Sequence, residues 1–375
     1  MGFIAKVGNE TNDFARECTM ADVYLQPVEH ESAWTSAEQG SIDAVTLQWE
    51  PRHIDALEDA YDAIEKQGLT LDEVEAEHFK VPAIAGELRE IFEEVMWGRG
   101  IVLVNRLPVE EWSQEKSEII YWGIGTHLGR GQSQSVIGDR LGHVVNIGGK
   151  DHNERAYRNS LPLTLHTDAC DILCMLSIRK GDSGGESQYA SALAVHNIML
   201  KERPDLLEPL YHGFRYHRFG EEGPDEASVT DHHVPVLSEK QGYVSCRYVA
   251  GYIYMAYDEL KEPLSQHQME ALSYFDDVAQ RPEVKTQFMM EPGHLLICNN
   301  HTTLHSRTGF EDTPGPDTGR MLLRLWLTAH EGERRPINPD IEMYRQVGIP
   351  KRDDRVDTRY RGDATRALES GVLKY

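Results

Sequence analysis

The sequence predicts a mainly β fold with flanking helices. Apolar residues at helical spacing dominate the first hundred residues, whereas β-branched and apolar runs of strand length dominate the later part. One helical insert separates the predicted strands into two groups. A double-sheet jelly roll is an architecture of this kind.

The first elements follow from periodicity and from capping residues. Segments 53–67 and 84–97 each carry a helical apolar stripe. The run GRGIVLVNRLP at 98–108 indicates a short buried strand between turn signals. Ser113 can cap a helix over 114–127, because its hydroxyl can accept a hydrogen bond from the first helical turn.

The remaining elements alternate in type. Ser191 and Ser265 each precede a helical apolar pattern, and Pro204 suits a first helical turn. These signals predict helices at 192–202, from 204 and from 265. They predict strands near 143–148, at 163–178, over 213–255 with a loop at 220–231, at 285–290, at 294–298 and at 320–328.

We expect one domain over residues 20–375, preceded by a flexible leader at 1–19. Met20 offers an alternative start, so an over-called start is a second interpretation of that leader. Residues 331–375 are charged with few apolar positions and are predicted to form a surface tail.

Composition excludes several classes of function. Aspartate and glutamate number 62 against 38 lysine and arginine, so the net charge is −24 and repels nucleic acid and anionic membranes. No apolar run reaches the roughly 20 residues of a membrane span. The five cysteines are few and odd in number, which favours free thiols and a cytoplasmic location. A small-molecule substrate is the expected partner. The sequence is compatible with a homo-oligomer but does not determine the oligomeric state.

The candidate metal ligands begin with a His-x-Asp pair. Residues two apart on a strand point to the same face, and one histidine with one carboxylate supplies two ligands of a 2-His-1-carboxylate iron site. Chance alone predicts about three His-x-Asp/Glu pairs in such a chain. The sequence has three: His53/Asp55, His152/Glu154 and His166/Asp168. Only the last lies in an apolar, strand-like context, since the first lies in a helical pattern and the second in a polar loop.

The third ligand should be a distant histidine. The stretch GHLLICNNHTTLHSRTGF contains His294, His301 and His305. His294 falls at a turn, and spacing alone does not choose between His301 and His305.

The next predicted strand carries two arginines on one face. Arg320 and Arg324 share parity with Leu322 and Trp326 in GRMLLRLWL. Guanidinium groups on so apolar a strand are costly unless each meets an anion. The anion is either a bound carboxylate or an internal salt-bridge partner.

At this point the sequence resembles the taurine dioxygenase-like (TauD/TfdA) family of Fe(II)/2-oxoglutarate oxygenases. The matching motifs lie between about 98 and 328: RGIVLVNRLP, LHTDACDILCMLSIRKGDSGGESQYAS, AVHNIMLKERPDLLEPL and PGHLLICNNHTTLHSRTGF followed by GRMLLRLWL. The resemblance implies a double-stranded β-helix, which is a jelly roll, with metal at one open end. It implies that His166, Asp168 and His305 bind the iron.

The resemblance also implies a binding site for the cosubstrate and for the substrate. The arginine that binds the distal carboxylate of 2-oxoglutarate corresponds to Arg320, and the assisting hydroxyl to Ser187, where the taurine enzyme has threonine. Arg324 corresponds to an arginine that holds the substrate's anionic group in the taurine enzyme. The segment HLGRGQSQSV lacks a clear counterpart of that enzyme's substrate-binding histidine, so taurine itself is not expected.

The implied activity is an Fe(II)- and 2-oxoglutarate-dependent dioxygenation. With O2, such an enzyme hydroxylates a small polar substrate, here anionic or amino-acid-like, and releases succinate and CO2. The same iron centre can instead catalyse desaturation, cyclisation or C–N or C–S cleavage. An alternative of another class is a non-catalytic β-helix that binds a small ligand, with His166 and Asp168 as a structural pair.

Overall fold

The computed structural model describes residues 23–105, 107–147, 153–313, 318–344 and 348–362, together with Ala364. The predicted leader at 1–19, Cys18, His152 and the last part of the predicted tail lie outside the described residues.

The described chain contains α-helices, short 3-10 helices and strands. The α-helices are α1 Ser36–Gln39, α2 Pro51–Gln67, α3 Ala85–Met96, α4 Gln114–Leu128, α5 Ala192–Glu202, α6 Leu207–His212, α7 Ala250–Leu260, α8 Gln266–Ala279 and α9 Pro339–Tyr344. The 3-10 helices are Ile42–Val45, Leu71–Glu73, Ala156–Arg158 and Pro204–Leu206. The strands are β1 Thr46–Gln48, β2 Ile101–Asn105, β3 Arg130–Gly131, β4 Leu141–Val145, β5 Leu163–His166, β6 Ile172–Arg179, β7 Ser183–Gly184, β8 Ser187–Ser191, β9 Leu237–Lys240, β10 Tyr243–Cys246, β11 Thr286–Phe288, β12 Leu295–Asn299, β13 Thr303–Arg307, β14 Phe310–Glu311 and β15 Met321–Thr328.

Two main sheets organise the molecule. The larger sheet has seven strands in the order β1-β2-β12-β6-β15-β3, with β4 also paired to β15. It is a mixed sheet, because β1 and β2 run parallel whereas its other pairs are antiparallel. The smaller sheet is antiparallel, in the order β11-β8-β13-β5. The prediction of sheets with flanking helices is therefore confirmed, but the described chain has more helical than strand residues and is not mainly β.

Strand alternation distributes the core among three layers. Leu323 and Leu325 on β15 pack with helices α2 to α4 on the outer face of the larger sheet. Leu322 and Trp326, at alternate positions, join Tyr189 of β8 in a cluster between the sheets. The other face of the smaller sheet packs against α5, α6 and α8. The space between the two sheets is therefore where side chains from both can meet.

The predicted capping residues begin their helices as expected. Ser113 accepts a hydrogen bond from the backbone N–H of Lys116 at 3.1 Å. Ser191 and Ser265 accept equivalent bonds at the starts of α5 and α8. Each of these bonds satisfies a backbone donor that the helix itself leaves unpaired. No helix in the described part of the chain is long and apolar enough to cross a membrane.

The prediction of strands over 213–255 is confirmed only for β9 and β10. Residues 213–236 form isolated bridges, Phe214 with Val234 and His217 with Val229, but no strand, and the last part of the range is helical. Helix α7 begins at Ala250, and its buried residues Ile253 and Ala256 follow helical spacing. The tyrosines at 252 and 254 favour a strand by composition, but packing against neighbouring elements decides such ambiguous segments. The predicted strand at 163–178 is also divided, because a turn separates β5 from β6.

Replacing Ile64 in α2 by alanine should destabilise the protein by about 2–5 kcal/mol, because the side chain is fully buried in the outer helical layer. Urea unfolding measures the loss. Lys66→Ala, on the exposed side of the same helix, is the matched control and should change stability little. Equal effects of the two substitutions would contradict the described packing of α2.

Candidate active site

Three side chains that the sequence singled out meet at one point. His166, Asp168 and His305 each offer a ligand atom, and these atoms lie within 4.8 Å of one another. His305 Nε2 is 3.5 Å from Asp168 Oδ2, and His166 Nε2 is 4.0 Å from Asp168 Oδ1. Two histidines and one carboxylate at this separation match the ligand set of non-haem iron sites.

Strand register explains why the three side chains meet. His166, the last residue of β5, is the cross-strand partner of His305 on β13. Directly opposed residues share one face of a sheet, and the two imidazole centroids are 4.3 Å apart. Asp168 lies two residues beyond His166, on the turn that leads to β6. The pairing of β5 with β13 thus joins histidines that are 139 positions apart in the sequence.

The larger sheet orients the Asp168 carboxylate from the other side. Trp326 Nε1 donates a hydrogen bond to Asp168 Oδ2 at 2.8 Å, and Arg324 Nη1 donates to the same oxygen at 3.2 Å. The backbone N–H of Asp168 donates to Asn300 Oδ1 at 2.9 Å. Both the carboxylate and its backbone are therefore held in place by partners outside the turn.

The surroundings set the protonation states of two of the three groups. Burial lowers the pKa of His166 to about 4, and the neighbouring His305 imidazole acts in the same direction. Burial alone would raise the pKa of Asp168, but the Arg324 guanidinium and the His305 imidazole hold it well below its usual value. At neutral pH the site therefore offers a neutral His166 and an ionised Asp168, which are the forms that bind a metal.

A pair of buried arginines lies beside this cluster. Arg320 and Arg307 are 4% and 5% exposed, and both guanidinium groups lie over the Phe310 ring. Neither guanidinium forms an ion pair with a carboxylate among the residues that the structure describes, and Arg320 Nη1 has no hydrogen-bond partner there. The Asp312 carboxylate accepts a hydrogen bond from the backbone N–H of Arg320 at 2.7 Å. Burial lowers the pKa of Arg307 to about 9 and that of Arg320 to about 10, with the charge of Arg320 adding to the effect on Arg307. An anion bound here would meet two desolvated cations.

The Gly184-Gly185 turn packs against Arg320 of this pair. Gly185 has a φ of +82°, and a Cβ on it would lie 3.0 Å from Arg320 Nε. Its carbonyl accepts a hydrogen bond from Arg320 Nη2 at 3.4 Å. Ser187 follows on β8, is 4% exposed and is the cross-strand partner of Arg307. The predicted hydroxyl and the predicted arginine therefore border one polar region.

A cavity of about 200 Å³ opens onto His166 and Asp168. Its walls are more apolar than polar, and they include the aromatic side chains of Tyr157, Phe219 and Trp326. The Arg324 guanidinium lies 4.8 Å from the ring centroids of both Tyr157 and Trp326. Small polar molecules could be held here against apolar walls, close to the three-residue cluster.

The structure also locates the histidines that the sequence left as alternatives. His301 is 2% exposed, and its Nε2 lies 3.0 Å from Asp171 Oδ1, outside the cluster. His294 lies in a turn, where its Nδ1 accepts from the backbone N–H of Glu291 at 3.3 Å. His305 is the histidine that the structure brings to His166 and Asp168.

Sequence reasoning missed several polar contacts of the site. Gln134 accepts from Arg324 Nε at 2.8 Å, and Arg155 forms a buried ion pair with Glu221 at 3.1 Å. Both come from the loop-rich stretch 133–160, whose conformation no periodicity indicates. A position for Arg307 near the site could have been predicted, because Arg307 lies two residues after His305 and shares its parity on β13.

Comparison with known protein families shows which family this chain belongs to. The model of the family described as "Taurine catabolism dioxygenase TauD, TfdA family" matches residues 65–326. The chain belongs to the TauD/TfdA family. This TauD/TfdA protein is an Fe(II)- and 2-oxoglutarate-dependent dioxygenase that uses O2, as the resemblance predicted.

Two curated relatives of this TauD/TfdA protein match over most of its length. FR-33289 synthase of Streptomyces rubellomurinus is 27% identical over 85% of this chain and 95% of its own. Taurine hydroxylase-like protein SAT17 of Stachybotrys chartarum is 27% identical over 71% of this chain and 70% of its own.

Solved structures share the fold of this TauD/TfdA protein. Asparagine oxygenase in complex with Fe(II), 3-hydroxyasparagine and succinate superposes with a TM-score of 0.60 at 16% identity, covering 76% of this chain and 93% of that one. The non-heme iron oxygenase OrfP in complex with Fe and alpha-ketoglutaric acid superposes with a TM-score of 0.55 at 14% identity, covering 76% and 94%.

Trp326→Phe should weaken Fe(II) binding about 10–100-fold, because it removes the indole donor that orients the Asp168 carboxylate. Anaerobic Fe(II) titration against a competing chelator measures the affinity. Trp112→Phe is the matched control, since it removes an indole donor to Glu58 far from the site. An unchanged Fe(II) affinity in Trp326→Phe, or an equal loss in both variants, would show that this hydrogen bond does not orient the ligand.

Proposed function

We propose that His166, Asp168 and His305 bind Fe(II), and that the protein hydroxylates a small polar substrate that is anionic or amino-acid-like. The observation that carries this proposal is the convergence of the three ligand atoms within 4.8 Å. Three protein ligands leave positions of an octahedral iron open for 2-oxoglutarate and O2.

The donor set fits the metal. His166 Nδ1 lies 2.8 Å from the carbonyl oxygen of Thr164, so this nitrogen carries the proton and Nε2 presents its lone pair to the cluster. A hydrogen bond of this kind fixes the tautomer of a metal-binding histidine. Asp168 is ionised and already oriented by Arg324 and Trp326.

The arginine pair fits the cosubstrate. We assign the distal carboxylate of 2-oxoglutarate to Arg320, assisted by the Ser187 hydroxyl. Arg320 Nη1 has no hydrogen-bond partner, and the guanidinium forms no ion pair with a described carboxylate, which supports this assignment. A planar guanidinium binds a carboxylate in a bidentate manner, which also gives it a fixed direction.

The chemistry divides between the cofactors and the chain. With 2-oxoglutarate and O2, bound iron supplies the oxidising power that converts a substrate C–H bond to C–OH, with succinate and CO2 as the other products. Arg324 and Trp326 orient the carboxylate ligand, and the aromatic cavity wall excludes water from the reacting C–H bond.

The substrate class rests on charge and on the relatives. Arg324 lines the cavity and has one nitrogen, Nη2, without a hydrogen-bond partner in the described structure, so it can contact an anionic group of the substrate. Asparagine oxygenase and OrfP were solved with hydroxylated amino acids bound. These two observations support an anionic or amino-acid-like substrate.

We further propose that the two main sheets form the double-stranded β-helix, and that 20–375 is one domain. The interior cluster that both sheets share supports the first statement. Tyr344 and Ile349 of the predicted surface tail line the cavity, which supports a tail that belongs to the same domain. The free thiols of Cys170, Cys174, Cys246 and Cys298 support a location in the cytoplasm.

Anaerobic addition of Fe(II) and 2-oxoglutarate should produce a weak visible charge-transfer band in the wild type. The double variant His166→Ala with Asp168→Ala should lose it, because two of the three ligands are removed. His294→Ala is the control, since that histidine lies outside the cluster. A missing band in the wild type, or a band that survives in the double variant, would favour the ligand-binding alternative without catalysis.

Arg320→Met should raise the dissociation constant for 2-oxoglutarate about 10–100-fold, because a charge-assisted contact to the distal carboxylate is lost. Titration of the charge-transfer band with 2-oxoglutarate measures the constant. Arg335→Met removes another buried guanidinium, outside this region, and should leave the constant near its wild-type value. An unchanged affinity of Arg320→Met for 2-oxoglutarate would show that Arg320 does not bind the cosubstrate.

A further inference from the structure

The cavity beside the candidate iron site contains a cation that forms no ion pair with any described residue. Arg247 lines this cavity, lies between β10 and α7, and is 2% exposed. Its side chain makes no hydrogen bond and no ion pair to any residue that the structure describes, and its Nε is buried without a partner. Burying a guanidinium in this way is costly unless something completes its hydrogen bonds.

The other arginines of the cavity are already engaged. Arg155 pairs with Glu221 at 3.1 Å and contacts the Tyr252 hydroxyl at 3.0 Å. Arg324 uses Nη1 for Asp168 and Nε for Gln134. Within the described cavity wall, Arg247 is therefore the arginine whose donors are all uncommitted.

The carboxylates in and next to the cavity wall also have other partners. In the wall, Asp168 accepts from Arg324 and Trp326, and outside it Glu221 pairs with Arg155. Glu154 accepts from the Thr358 hydroxyl at 2.5 Å. An internal salt bridge therefore does not account for Arg247 in the described structure.

The backbone around Arg247 is fixed to the turn that carries the candidate ligands. The Arg247 N–H donates to Val236 O, and the Tyr216 hydroxyl donates to Arg247 O, both at 2.9 Å. The next residue, Tyr248, exchanges hydrogen bonds with Thr167, which lies between His166 and Asp168. The backbone of Arg247 is thereby fixed relative to the segment that carries His166 and Asp168.

We propose that Arg247 binds an oxyanionic group of the substrate, namely a carboxylate, sulfonate or phosphonate. This inference rests on the proposed function and narrows its substrate class. The planar fork of arginine matches such groups in a bidentate manner, and the buried position excludes competing water. The substrate is then fixed at its anionic end, while the C–H bond to be oxidised lies towards His166 and Asp168. A neutral amide of the same acid leaves the Arg247 charge unpaired and is rejected.

The test uses the protein loaded anaerobically with Fe(II) and 2-oxoglutarate. Methylphosphonate, methanesulfonate and acetate are the probes, acetamide is the neutral comparison, and titration calorimetry measures their affinities. We expect the wild type to bind at least one anion more tightly than acetamide, and Arg247→Met to bind that anion at least 10-fold more weakly. The relative affinities of the three anions identify which group the site prefers.

Two further variants keep the result interpretable. Arg247→Lys retains the positive charge but loses the planar, bidentate donor geometry, so it should bind the preferred anion with intermediate affinity. Arg335→Met removes a buried guanidinium from a different cavity and should bind it as the wild type does. If Arg247→Met does not fold, the comparison of Arg247→Lys with the wild type decides.

The charge-transfer band separates failure of this inference from failure of the proposed function. If the wild type does not form the charge-transfer band, the assignment of iron and 2-oxoglutarate to this site is itself overturned. With the band intact, the inference about Arg247 is overturned if Arg247→Met binds the anions as tightly as the wild type, or if the wild type prefers none of them to acetamide. It is also overturned if the anions displace 2-oxoglutarate and thereby remove the band.

Discussion

The carboxylate of Asp168 contacts both main sheets at the same point. One oxygen lies 3.5 Å from His305 on β13 and accepts hydrogen bonds from Arg324 and Trp326 on β15. Burial alone would favour the neutral acid, but the adjacent guanidinium keeps the group ionised. The contact that joins the sheets is therefore also the one that prepares a negatively charged ligand, and the arrangement of the site depends on it.

The arginines around the site fall into two groups according to their partners. Arg155 and Arg324 form ion pairs with Glu221 and Asp168, and only Nη2 of Arg324 is left without a partner among the described residues. Arg307, Arg320 and Arg247 are buried, and their guanidinium groups form no ion pair with a described carboxylate. In a chain with a net charge of −24, buried cations without acidic partners are unexpected. The proposed binding sites for small anions would account for them, because a ligand can supply the charge that the protein does not.

Much of the fold could be predicted from local signals. The starts of α4, α5 and α8 followed from Ser113, Ser191 and Ser265, since a capping hydroxyl acts within one helical turn. The helix that begins at Ala250 was missed, because its tyrosine-rich sequence satisfies a strand pattern equally well and only its packing distinguishes the two. Contacts that depend on loops, such as Gln134 with Arg324, carry no periodic signal at all.

The sequence by itself determined which side chains could form the site and which family the chain belongs to. The strand context of His166 and Asp168 and the parity of Arg320 and Arg324 are local properties, and the order of motifs is a property of the whole chain. Only the tertiary structure decided between His301 and His305 on geometric grounds. The register of β5 against β13 depends on both strands together and cannot be predicted from the sequence of either one. The tertiary structure also decided that Arg324 pairs with Asp168, and that Arg247 faces the cavity unpaired, since the partners of a buried charge come from distant segments.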